Sequence, residues 1–299
     1  MSKLLVCDPI DRSAIEEMRA AGIEVDVRDD ITQEELAEII GGYEGMVVRS
    51  RTKVRSNLID RAQKMQVIIR GGVGLDSIDV AYAESKGIDV RNTPGANTAA
   101  VVELVLGMML GLVRHIPPAD ASMKAGRWDK KKLKGTEIAG KTLGIVGYGR
   151  IGQLLGEKAR ALGMEVVAYD PYVKHRDVIS LDKLLKVSDF ISMHVPHNEE
   201  THDLIDAAAF AKMKEGVYLI QASRGGTVNE AALYDALASG KVAGAGLDVY
   251  TEEPPESERL RKLVELPQVI STPHIGAATE EAQARVGEEI VTLATTYLA

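Results

Sequence analysis

Three side chains in the C-terminal half carry groups suited to moving a proton beside a bound anion: Arg224, Glu253 and His274. An imidazole titrates near neutral pH and can give and take a proton within one cycle. A carboxylate on its far ring nitrogen would fix the tautomer and stabilise the imidazolium. A guanidinium can hold a carboxylate through two parallel hydrogen bonds and polarise a carbonyl, a geometry lysine does not offer. Each of the three follows a short apolar run: VYLIQAS before Arg224, GAGLDV before Glu253 and VIST before His274. Strand C-termini are where ligands bind in parallel α/β sheets. Spacing alone does not make the three a catalytic set, and singly each also reads as an ordinary loop or strand-end residue.

A second motif supplies the partner chemistry. Gly147-Tyr148-Gly149-Arg150-Ile151-Gly152 stands directly after the apolar run TLGIV and before the helical run QLLGEKARALG. In that context Gly147 permits a tight turn, Gly149 lets the backbone approach a pyrophosphate, and Gly152 allows close helix-on-strand packing. The helix N-terminus is then left facing the anion. The next run, EVVAYD, ends in Asp170, eighteen positions after Gly152, where an acidic side chain accepts hydrogen bonds from an adenosine ribose. A carboxylate there repels the 2′-phosphate of NADP, so NAD is the expected cofactor.

These residues need a frame, and the pattern of the chain provides one. Short β-branched runs (KLLVCD, IEVDV, GMVVRS, MQVIIRG, IDVRN) alternate with helical segments such as TQEELAEII. That alternation predicts a parallel sheet flanked by helices. Two helical stretches follow, about 99–115 and 118–125, and then a second series: TLGIVGYG, EVVAYD, DFISMHVP, VYLIQAS, VAGAGLDV and VISTPH, closed by a helix over about 279–298. The expectation is α/β architecture with two doubly wound, Rossmann-like parallel-sheet domains and an interdomain active-site cleft. Residues 1–93 and 276–299 would form the substrate-binding domain and 94–275 the NAD-binding domain, with hinges near Asn97 and Gly276.

Composition sets outer limits. The 299 residues are 45% hydrophobic and 27% charged, as in ordinary globular proteins. A net charge of −8 argues against nucleic acid or an anionic membrane as partner. The single Cys7 cannot form an internal disulfide, and MSKLLVCDPI lacks the apolar run of a signal peptide, so a cytoplasmic location is expected. The apolar stretch 99–113 is interrupted by Glu103 and reads as a buried helix rather than a membrane span. No Cys/His cluster stands at metal-ligand spacing, and no metal is expected.

ASRGG, GLDVYTEEPP and TPHIGAAT resemble the three signature segments of the D-2-hydroxyacid dehydrogenase family. The likeness extends to VVRS, GGVGLDSID, NTPGANT and RWDKKKLKG and so covers nearly the whole chain. It implies an NAD-dependent oxidoreductase that moves a hydride between NAD and a D-2-hydroxy acid. His274 would then be the general acid/base, Glu253 its partner and Arg224 the substrate clamp. Cofactor contacts are implied for the glycine loop with Arg150 and Ile151, for Asp170, for His194, Val195, Pro196 and Thr201, for Ala222 and Asp248, and for His274, Gly276 and Ala277.

On the substrate side, GGVGLD offers a nest of backbone N–H groups for a carboxylate. By the resemblance, Val73, Gly74 and Asn97 join Arg224 there. Arg49 and Arg51, read as pointing the same way from a strand, could grip a phosphate, and Lys130 would reach over from a partner subunit. The set is most similar to family members that oxidise D-3-phosphoglycerate to 3-phosphohydroxypyruvate, which would place the chain in serine biosynthesis. Short members that reduce glyoxylate or hydroxypyruvate, or other D-2-hydroxyacid dehydrogenases such as those acting on D-lactate, are the alternative. An NAD(H)-sensing, corepressor-like binding protein is the rival of a different class. The chain stops at Ala299, so feedback through an appended serine-sensing domain is not expected. Trp128, whose family counterpart packs into a neighbouring subunit, implies a homodimer or higher oligomer.

Overall fold

Aliphatic runs of three to six residues, each bounded by turns, form eleven strands, and all of their pairings are parallel. The computed structural model describes residues Met1–Ala299. They form two units, Met1–Asn97 with Ala277–Ala299, and Thr98–Gly276.

In the first unit β1 (Lys3–Val6), β2 (Glu24–Val27), β3 (Gly45–Val48), β4 (Val67–Arg70) and β5 (Asp89–Asn92) make a sheet in the order β2-β1-β3-β4-β5. Both faces are covered, which is why the strands read as continuous apolar runs and not as alternating ones. Successive side chains point to opposite faces. Leu5, Met46, Val48 and Ile68 therefore enter one core, while Leu4, Val6, Val47, Val67 and Ile69 enter the other. The helix Glu280–Leu298 closes the second of these cores with Val286, Ile290, Ala294 and Leu298.

The second unit is built the same way. Here β6 (Thr142–Val146), β7 (Glu165–Tyr169), β8 (Phe190–Met193), β9 (Val217–Gln221), β10 (Val242–Leu247) and β11 (Val269–Ser271) are ordered β11-β10-β9-β8-β6-β7. The chain order reverses beside β6, so the loop after β6 opens at the switch point where open α/β sheets bind ligands. The apolar helix Thr98–Val113 lies in this unit and buries Val101, Val102, Val105, Met108, Met109 and Leu112 with Leu143, Ile145 and Ile220 of the sheet. No single helix is long and apolar enough to cross a membrane.

Candidate active site

The loop that leaves β6 is shaped by what its glycines lack. Gly147 has φ +96°, and a Cβ there would lie 2.6 Å from the His194 carbonyl carbon. A Cβ on Gly152 would lie 2.3 Å from the Gly147 oxygen, so helix and strand approach only because both residues are bare. At Gly149 a Cβ would meet nothing within 4 Å. Gly149 also starts the helix Arg150–Ala161, which has no side-chain cap and no acidic residue in its first turn. Its first N–H groups are therefore left for an external anion. Asp170, just past β7, accepts from the Tyr148 amide at 2.8 Å and the Tyr172 amide at 2.9 Å. A carboxylate has about four acceptor positions, so capacity remains for ribose hydroxyls.

His194 follows β8 and places its backbone against Gly147. Its Nε2 lies 2.8 Å from Ser192 Oγ, while the enclosed Nδ1 has no hydrogen-bond partner. Burial pulls this imidazole down to about 4, so it is neutral near pH 7. Val195 is buried beside it. Thr201 donates to the Pro196 oxygen at 2.6 Å, closing the loop that follows. Ala222 sits immediately after β9.

The three chemical candidates all belong to the second unit. Arg224 lies in the turn after β9, whose form is set by buried Gln221 and Thr227: both donate to the Arg224 oxygen, at 2.9 and 3.1 Å, and Gln221 Nε2 donates to Thr227 Oγ1 at 2.6 Å. Glu253 and His274 come together, with Oε2 2.8 Å from Nδ1. Glu253 Oε1 accepts from the Tyr250 amide at 3.2 Å. Burial pushes the Glu253 carboxyl up. The hydrogen bond and charge of His274, the Tyr250 amide and the Arg224 guanidinium outweigh that and hold it below the ordinary carboxylate value. The pair uses Nδ1 and leaves the opposite ring nitrogen of His274, Nε2, outside that contact.

Asp248 has a structural task that its implied place at the cofactor does not describe. It is buried and accepts from Thr272 Oγ1 at 2.6 Å and from the amides of Ile275 at 2.8 Å and Gly276 at 2.9 Å. Those bonds bracket His274, whose φ of +54° is a left-handed conformation that non-glycine residues rarely adopt. The carboxylate thus holds the strained turn that presents the imidazole. An aspartate after GAGL was visible in the sequence; its bonds to amides more than twenty residues later were not.

The first unit holds the remaining residues. The loop after β4 contains Val73, whose oxygen accepts from Asn92 Nδ2 at 2.6 Å, and Gly74. Asn97 Oδ1 is buried without a partner. Ala277 begins the returning segment, and its oxygen accepts from Gln283 Nε2 at 2.7 Å. Arg49 and Arg51 differ from expectation. β3 ends at Val48, so they do not project side by side from a strand. The buried Asp8 carboxylate takes the amides of Arg49 and Thr52 and turns the chain there. Arg49 Nη1 is bonded to Gln283 Oε1, and Arg51 reaches Asp8 at 2.9 Å and the oxygens of Cys7 and Asp29. Both guanidinium groups are thus held by the protein itself. Lys130 opens an exposed turn, Lys130–Lys132, in the second unit.

Comparison with known proteins gives a consistent result. Residues 106–276 match the model of the D-isomer specific 2-hydroxyacid dehydrogenase NAD binding domain. The chain is 48% identical to a hydroxypyruvate reductase of Thermotoga maritima, over 96% of this chain and 95% of that one. It is 46% identical to a D-3-phosphoglycerate dehydrogenase of Archaeoglobus fulgidus, over 98% of this chain but only 57% of the relative's length. Among solved structures, a D-lactate dehydrogenase of Aquifex aeolicus complexed with NAD and lactic acid superposes with a TM-score of 0.88 at 30% identity, covering 99% of this chain and 95% of the other.

Proposed function

The chain belongs to the D-isomer-specific 2-hydroxyacid dehydrogenase family and is an NAD-dependent enzyme, and from that premise we propose that it reduces a three-carbon 2-keto acid of the hydroxypyruvate type to its D-2-hydroxy acid. The carrying observation is the Glu253–His274 pair at 2.8 Å, with the Arg224 charge acting on Glu253.

The residues present suit NAD. The uncapped helix Arg150–Ala161 and the open position at Gly149 would take the pyrophosphate, and Asp170 the adenosine ribose. The unpartnered His194 Nδ1 beside Gly147 is a further polar atom for the cofactor. Bound NADH supplies the hydride. Arg224 clamps the substrate carboxylate and polarises the adjacent carbonyl. His274 delivers a proton from Nε2 to the carbonyl oxygen, and Glu253 stabilises the imidazolium beforehand. In the oxidative direction His274 takes that proton back.

Two observations favour an unphosphorylated substrate. Arg49 and Arg51 are already committed to protein acceptors, and a relative at 48% identity is a hydroxypyruvate reductase. The second reading, D-3-phosphoglycerate, is favoured by the 46% identity to a phosphoglycerate dehydrogenase and by the exposed lysines at 130–132. Initial rates with NADH and hydroxypyruvate, 3-phosphohydroxypyruvate, glyoxylate and pyruvate decide between them. A higher kcat/KM for hydroxypyruvate is expected. The reverse ranking selects the phosphorylated substrate, and NADH binding without turnover on any of the four selects a nucleotide sensor.

We also propose a homodimer through the segment 116–128, whose Trp128, Met123 and Ile116 are 78, 57 and 55% exposed. Exposed large apolar groups concentrated on one region mark an interaction surface. Light scattering is expected to give twice the chain mass for the parent and the chain mass for Trp128→Asp. A monomeric parent overturns the assignment.

A further inference from the structure

Glu230 is a carboxylate with 8% exposure in the first turn of the helix Glu230–Ala238, and the chemistry above does not use it. A buried acid is costly unless its lone pairs are filled, so its partners show its task. Oε1 accepts from the Thr251 amide at 2.8 Å and Oε2 from Thr251 Oγ1 at 2.5 Å, with Arg259 Nη2 at 3.4 Å. Thr251 follows Tyr250, whose own amide bonds Glu253 Oε1. Two successive amides of one turn are therefore held by carboxylates, one inside the turn and one from a separate helix. The same helix follows the Arg224 turn, where a Cβ on Gly225 would lie 1.9 Å from the Tyr250 oxygen. The turns of Arg224 and Glu253 are in direct contact, and Glu230 pins them together.

We propose that Glu230 is a positioning residue for the proton-transfer pair: its carboxylate fixes the turn Tyr250–Glu253 and through it the orientation of Glu253 toward His274. This rests on the dehydrogenase reading, and its test separates the two. Glu230→Ala is expected to lower kcat about tenfold while KM and NADH affinity change little. Its pH–rate profile should be displaced in the same direction as that of Glu253→Gln. Added to Glu253→Gln it should cause no further loss, since groups acting through one another are not additive. Glu230→Gln should recover most of the activity, because a carboxamide can accept from the Thr251 amide and donate to its hydroxyl.

Thr251→Val, at an exposed position, removes one donor and should lose rate in the same direction by less. Titration of the His274 ring followed by NMR gives a readout independent of turnover, and Glu230→Ala should displace it as Glu253→Gln does. A parental kcat, pH profile and His274 titration in folded Glu230→Ala overturns the proposal, as does full additivity with Glu253→Gln. A parent that binds NADH but reduces no 2-keto acid overturns the dehydrogenase reading instead, while the His274 titration still decides whether Glu230 acts on the pair.

Discussion

His274 combines a chemical group with an unusual backbone, and substitutions there probe both. His274→Ala removes the proposed proton donor and is expected to lower turnover by roughly 10²-fold or more with NADH affinity retained. Unchanged turnover, followed by NADH absorbance, removes the imidazole from the mechanism. Glu253→Gln keeps the shape of the pair but loses the charge proposed to stabilise the imidazolium, and a smaller fall in kcat is expected. Burial pushes the Glu253 carboxyl up, but His274, the Tyr250 amide and Arg224 outweigh it and hold it below its ordinary value, so the carboxylate persists across the neutral range. At this scale the sequence displayed the candidate reacting groups and concealed the groups that hold them. Arg224, Glu253 and His274 stand at strand ends that pattern alone locates. Asp248 and Glu230 look like ordinary strand-end and first-turn acids, since their partners lie more than twenty residues away.

Strands and the glycine loop were legible because their signals are local: an apolar run, then bare residues, then a helical period. All eleven runs read as strands form strands. Arg49 and Arg51 show where local reading fails. GMVVRS resembles one longer strand, but Asp8, some forty residues earlier, captures the Arg49 amide and ends β3 at Val48. The glycine loop yields a paired prediction. Gly152→Ala forces a Cβ toward the Gly147 oxygen, 2.3 Å away, and should destabilise the protein by about 1–3 kcal/mol in urea unfolding. Gly149→Ala places its methyl in open space and should leave unfolding unchanged, yet weaken NADH binding measured by fluorescence titration. Equal unfolding midpoints for the two variants reject this division of labour.

For the whole molecule, His194 ties stability to pH. Burial lowers its imidazole from 6.5 to about 4, so between those values the unfolded chain binds a proton that the folded chain refuses. Its contribution is therefore fully present above pH 6.5 and lost as pH falls toward 4. By pH 5 the loss is about 2 kcal/mol. Urea unfolding at pH 7 and pH 5 should show the parent losing about that much more than His194→Gln; equal losses in both proteins reject the assignment.

The first unit is discontinuous in the chain, and this bears on how the protein emerges from the ribosome. Val6, Val47, Val67 and Ile69 form one face of its sheet, and the helix Glu280–Leu298 that covers them is translated only after the whole second unit. During that interval this face of the nascent sheet has only early residues such as Met18 of the helix Arg12–Ala20 against it, while residues 98–276 contain the whole of their own unit. Synthesis therefore favours the later-encoded unit maturing first, with the earlier one awaiting its cover and exposed to chaperones in the meantime.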